Sequence, residues 1–149
     1  MTEQNGYKCY AYLSVTSERP LSEIEAHIGL GGEDRSWSKG EDRKSPSRGQ
    51  YPCSRWRLQS GVAEGLPIDV HIKAIWKKIS PYRVQICGLP SSMHGLIQCV
   101  GTFKSRRDKF TVAAGHFSTA AYYKVSFDFD FYFDDEFGDE REGQRYWQW

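Results

Sequence analysis

Period-two alternation opens the chain. From Tyr7 to Val15 the residues Tyr7, Cys9, Ala11, Leu13 and Val15 alternate with Lys8, Tyr10, Tyr12 and Ser14, the pattern of a strand rich in β-formers, which Thr16 and Ser17 close. The period then lengthens. Pro20-Leu21-Ser22 opens a helix with Ser22 as the expected N-cap, Glu25 as its capping-box partner and Ile24, His27 and Ile28 on one face. Gly29 and the Gly31-Gly32 pair stop it. Residues 33–55 carry glycines, prolines and many basic side chains but no apolar stripe, so they read as a long surface loop. A second strand, Ser54 to Ser60, sets Trp56 and Leu58 on one side and Arg55, Arg57 and Gln59 on the other. Leu66-Pro67 starts a second helix reaching about Ile79, in which Ile68, Ile72, Ile75 and Ile79 recur at helical spacing.

Arg83–Cys87 and Gly95–Lys104 read as further strands, separated by the Pro90-Ser91-Ser92 turn. Thr111 to Gly115 fits neither period, and Phe117 to Tyr123 reads as a turn of helix capped by Ser118. Val125 to Phe133 is the clearest strand: Phe127, Phe129, Phe131 and Phe133 share one face, predicted to be core, and Asp128, Asp130 and Tyr132 share the other, predicted to be wet. Strand, helix, strand, helix and then several strands predict an α+β fold, a mainly antiparallel sheet with two helices packed on one face, and residues 1–149 are expected to form a single domain.

Composition narrows the class without naming a reaction. The chain has 149 residues, 39% of them hydrophobic, enough for a real core. No apolar run approaches the ~20 residues that span a bilayer, and the N-terminus has no secretion-signal pattern, so a cytoplasmic location is expected. Cys9, Cys53, Cys87 and Cys99 form no C-x-x-C, and His27, His71, His94 and His116 are scattered, so no metal or cofactor is expected. The net charge of +1 hides a split. Residues 128–142 hold eight acids and one base, against 19 bases and 11 acids elsewhere.

With these residues in order, the chain resembles the domain-of-unknown-function 4279 family, found in bacteria. The resemblance rests on the opening strand, the helix ending in Ile28-Gly29-Leu30, Arg35-Ser36-Trp37-Ser38-Lys39-Gly40, Ser54-Arg55-Trp56-Arg57-Leu58-Gln59-Ser60, the second helix, and the final strand after Phe117-Ser118. Trp37, Lys39, Gly40, Trp56 and Ser60 are its scaffold motif. One departure is Gly31-Gly32-Glu33-Asp34, where the family pattern often has a proline before the tryptophan. The resemblance implies a likeness to immunity proteins encoded beside bacterial toxins, and hence an inhibitor that binds a cognate toxin by occlusion.

On that reading the partner is a basic toxin such as a nuclease. The partner-binding surface is then Asp128 and Asp130 with the acidic C-terminal segment 134–149: Asp134, Asp135, Glu136, Asp139, Glu140 and Glu142, closed by Trp147 and Trp149. The Asp128/Asp130 pair has the form of a cation site, but outward carboxylates on a half-buried strand are more simply solubilising groups. The alternative function is ligand or nucleic-acid binding by the basic loop 35–57, with Trp37, Tyr51 and Trp56 interleaved among its arginines. In the plainer view Trp37 and Trp56 anchor that loop and Lys39 lays its stem over a ring. G-x-S-x-G, H-E-x-x-H, P-loop and G-x-G-x-x-G are all absent, so no catalytic residue is assigned and the chain is expected not to be an enzyme.

Overall fold

The computed structural model describes residues 8–104 and 108–133. Strand β1 (Lys8–Ser17) runs through the middle of a four-stranded sheet, followed by α1 (Leu21–Ile28), β2 (Ser54–Gln59), α2 (Ile68–Ile79), the short α3 (Arg83–Cys87), β3 (Met93–Phe103), α4 (Ala114–Tyr123) and β4 (Ser126–Phe133). The sheet order is β2-β1-β3-β4. β1 is antiparallel to both β2 and β3, and β4 joins β3 in parallel, so the α+β fold is built on a mixed, mainly antiparallel sheet.

Alternation along β1 decides where the core lies. Cys9, Ala11, Leu13 and Val15 are at most 1% exposed and join Trp56 and Leu58 of β2, Ile97 and Cys99 of β3, Ile24 and Ile28 of α1, and Ile68, Ile72, Ile75 and Ile79 of α2 in one apolar cluster. The intervening positions Tyr10, Tyr12 and Thr16 stay half-buried, as do Gln59, Gln98 and Thr102 across the register. Those residues form the sheet face turned away from the core.

Several local expectations are corrected. The first strand runs two residues past Val15 and ends at Ser17, because Thr16 pairs with both Arg55 and His94 and so lies inside the ladder. Arg83–Cys87 is helical: α2 continues through a 3-10 turn at Ser80–Tyr82 into α3. A strand would put Val84 and Ile86 on one face, whereas a helix turns them roughly 200° apart. Ile86 is accordingly buried while Val84 is 76% exposed. The caps differ too, since Pro20 and Ala113 precede α1 and α4 without side-chain caps, leaving Ser22 and Ser118 inside the helices. Glu25 instead reaches past the end of α1, where its Oε2 accepts the Gly32 N–H at 2.8 Å.

Phe117–Tyr123 proves to be most of the ten-residue α4, a third substantial helix beyond the two expected. β4 has the predicted facing, with Phe127 level with Ile97 and Phe129 with Cys99. Its burial is lower than a core face implies, because β4 is an edge strand: Phe129 is 37% exposed and Phe133 41%. The phenylalanines pack chiefly on other rings, among them Phe103, Phe110 and Phe117.

Candidate functional site

The loop 33–53 is tied to the outer edge of β2 by backbone pairing. Trp37 N–H donates to the Arg55 carbonyl and Arg55 N–H to the Trp37 carbonyl, both at 2.9 Å, and Glu33 N–H donates to the Arg57 carbonyl. Side chains tighten the seam. Ser36 Oγ accepts the Arg57 N–H at 2.9 Å, Ser54 Oγ accepts the Lys39 N–H at 2.8 Å, and Glu33 Oε2 accepts the Gln59 N–H at 3.0 Å. Gly40, at φ +86°, takes the left-handed turn that lets its N–H reach the Tyr51 carbonyl.

This seam brings together residues that lie far apart in sequence. Across the sheet face turned from the core, a chain of cation and ring contacts runs Arg57, Tyr12, Arg55, Trp37, Tyr51, Arg43. Arg57 Cζ lies 3.9 Å from the Tyr12 ring centroid. Arg55 Cζ lies 4.8 Å from Tyr12 and 4.9 Å from Trp37. Trp37 and Tyr51 stack 4.1 Å apart with planes 10° from parallel, and Arg43 lies over Tyr51. Attraction of a guanidinium to a ring face accounts for the order.

Among the described residues the stack holds cations without counter-charges. Among the described residues no carboxylate lies within ion-pair distance of Arg35, Arg43, Arg55 or Arg57; the pairs formed there are Arg19–Glu23, Lys78–Glu33 and His116–Asp69. Arg57 is only 3% exposed, and the Nε atoms of Arg43, Arg55 and Arg57 are buried with no acceptor among the described residues. Burial lowers the pKa of Arg57; the nearby Tyr12 hydroxyl opposes that shift, and Arg55 and Arg35 add to it. A buried cation lacking an acceptor is costly, so the arrangement is primed for an anion.

The residues singled out from the sequence fall into separate groups. Trp56 is fully buried with Nε1–H donating to the Leu30 carbonyl at 3.0 Å, a strut as expected. Trp37 is half-buried, and the cation over its ring is Arg55, not Lys39, whose side chain is exposed. Ser60 turns inward, its Oγ 2.7 Å from His71 Nδ1. Both residues are buried. Asp128 is exposed, and Asp130 accepts the Tyr132 hydroxyl at 2.6 Å; both lie on the same sheet face as the arginines but on the opposite edge strand. Asp134, Asp135, Glu136, Asp139, Glu140, Glu142, Trp147 and Trp149 lie outside the described residues.

Other features of the molecule are less developed. A shallow cavity of about 300 Å³ lies beside α3 and the start of β3, lined by Cys87, Leu89, Met93, His94 and Lys124 among others. Among the described residues no three His, Cys, Asp or Glu side chains are grouped to hold a metal ion, and no helix there is long and apolar enough to cross a membrane. The stack was missed because each half of it was visible but not their meeting. Tyr10-x-Tyr12 and Arg55-x-Arg57 each mark a face, whereas the pairing of Tyr12 with Gln59 that sets them side by side is a matter of register.

The fold and site thus define a small α+β protein with a basic, aromatic-lined sheet face. The model of the domain of unknown function DUF4279 matches residues 7–134, and the chain belongs to that family. Comparison with the curated proteins and with the solved structures gave no match.

Proposed function

We propose that this chain is a binding protein, not an enzyme, and that it takes up an anionic partner on the sheet face turned away from its core. The observation that carries the reading is Arg55 and Arg57, fixed over Tyr12 and Trp37 with no carboxylate beside them among the described residues. Arginine and aromatic side chains held rigidly in one patch are the residues that dominate binding energy at interfaces. Ordering costs little here, since ring contacts already hold the guanidinium groups.

The test is titration of the purified chain with a polyglutamate peptide and with a single-stranded oligonucleotide of equal charge, followed by tryptophan fluorescence. Saturable binding of either is expected, weakened at least about tenfold by Arg55→Gln with Arg57→Gln, because a hydrogen bond to a charged group contributes roughly 1.5–3 kcal/mol. Binding of neither, or affinity unchanged in the double variant, refutes the reading.

Exposed Asp128 on the opposite edge favours a second reading, a toxin-neutralising immunity protein offering carboxylates to a basic toxin. Its test is co-expression with the product of a neighbouring toxin gene. Rescue of growth that Asp128→Asn abolishes supports it, and failure to rescue ends it.

A further inference from the structure

The geometry points to a phosphate group as the anion: the in-plane edges of Arg55 and Arg57, with Arg35 beside them, form an oxyanion site on the sheet face. The inference rests on the anion-binding reading above and adds the chemical class of the ligand.

Arg55 has a ring on each of two contacts, Tyr12 and Trp37, and Arg57 Cζ stands 3.9 Å from the Tyr12 centroid. With a ring over each guanidinium group, recognition falls to the N–H groups in its plane. These groups form the fork that matches two oxygens of a phosphate. The Nε atoms of both arginines are buried with no acceptor among the described residues, which leaves the terminal Nη groups as the N–H donors for a ligand, and Arg57 is more than nine-tenths buried, so the site is built into the sheet.

Charge selects among anions. Arg35 and Arg55 both repel Arg57 and none of the three is paired among the described residues, so a ligand bearing two charges on one centre relieves more repulsion than a lone carboxylate. Arg35 is placed by a backbone that few arginines adopt, at φ +68°, in the turn in which Ser36 N–H bonds the Glu33 carbonyl. Ser36 Oγ then bonds Arg57 N–H, locking the turn to the strand that carries the other two arginines.

The rings argue against reading a nucleobase. Arg55 and Arg57 both contact Tyr12, while Arg55 and Tyr51 both contact Trp37, so each ring is already engaged twice and is a poor platform for stacking bases. The phosphate is therefore what the site reads, whatever carries it.

The experiment titrates the full chain with inorganic phosphate at constant ionic strength, balanced by sodium chloride, and follows backbone amide shifts by NMR. A saturable response centred on residues 33–37 and 55–57 is expected, absent with acetate. Arg55→Lys keeps the charge but loses the fork, and the exposed Arg35→Gln leaves the core untouched; each should weaken phosphate binding at least about tenfold with the amide spectrum otherwise retained. Adenosine monophosphate should bind and adenosine should not, and a phosphoserine peptide compared with the mononucleotide names the carrier, either order of affinity supporting a phosphate site. No saturable response to phosphate, an equal response in both variants, or binding of adenosine as tight as that of its monophosphate overturns the assignment. If polyglutamate binds through Arg55 and Arg57 while phosphate does not, the anion-binding reading survives and this inference alone falls.

Discussion

The two tryptophans of the family motif are expected to part company when truncated. Trp56 is fully buried between α1, β1 and the Gly32 turn: a Cβ on Gly32 would stand 3.1 Å from its Cδ1, and its indole N–H bonds the Leu30 carbonyl. Trp56→Ala removes the largest fully buried side chain and leaves a cavity at the junction of helix and sheet. Core Trp→Ala substitutions cost ~3–5 kcal/mol, a large part of the roughly 5–15 kcal/mol that holds a domain folded. Trp37→Ala loses instead one stacked pair with Tyr51, ~0.5–1.5 kcal/mol, and the hydrogen bond from Nε1 to the Cys53 carbonyl, about 1 kcal/mol. Its expected cost is about 2 kcal/mol, with loss of anion binding, because Arg55 then has a ring on one side only. Urea unfolding followed by far-ultraviolet circular dichroism measures both. A Trp56→Ala cost below about 1 kcal/mol, or a Trp37→Ala cost equal to it, refutes the division of the motif into strut and site.

Two further predictions concern buried titratable groups. Desolvation holds the His71 pKa below its ordinary 6.5, against a smaller opposing pull from the Ala63 and Leu66 backbone. The unfolded chain therefore takes up the proton first, so stability is full above pH 6.5 and falls as pH drops below it, at up to about 1.36 kcal/mol per pH unit until the folded-state pKa is reached. In His71→Gln that slope should be shallower by one proton, and urea midpoints at several pH values show whether it is. The Cys9 and Cys99 thiols are pushed up to about 11 and about 12, mainly by burial, and Cys9 Sγ–H donates to the Leu66 carbonyl. In the native protein a disulfide reagent at pH 8 should modify Cys53 and Cys87 and leave these two untouched until unfolding; rapid native labelling of Cys9 would contradict its burial.

How far the sequence reached depended on the range of the interaction that decides each feature. Leu13, Val15, Trp56, Leu58 and the isoleucines of α2 were legible because period two and period 3.6 are local properties of a half-buried element. Arg83–Cys87 was not, since its alternation of apolar and polar residues fits a strand as well as one turn of helix, and the choice was made by its continuity with α2. The face of β4 was legible but its burial was not, because an edge position belongs to the sheet as a whole.

The candidate site obeys the same logic. Its members come from β1, the 33–53 loop and β2, and each looks ordinary alone: a tyrosine on an outward position, an arginine beside a tryptophan, a basic loop. Their meaning lies in register, which sets Tyr12 opposite Gln59 and Trp37 opposite Arg55 and so converts scattered positive charge into ordered guanidinium planes. The near-neutral net charge of the chain is a poor guide to binding by the loop, since it averages over a surface whose acids on β4 and arginines on β2 lie at opposite edges of one sheet. For a ligand a few ångströms across, the local field of three arginines unpaired among the described residues outweighs that average, because screening in physiological salt cuts off contributions beyond about 8 Å. Binding at this face should therefore respond strongly to Arg35, Arg55 and Arg57 and weakly to the distant acids.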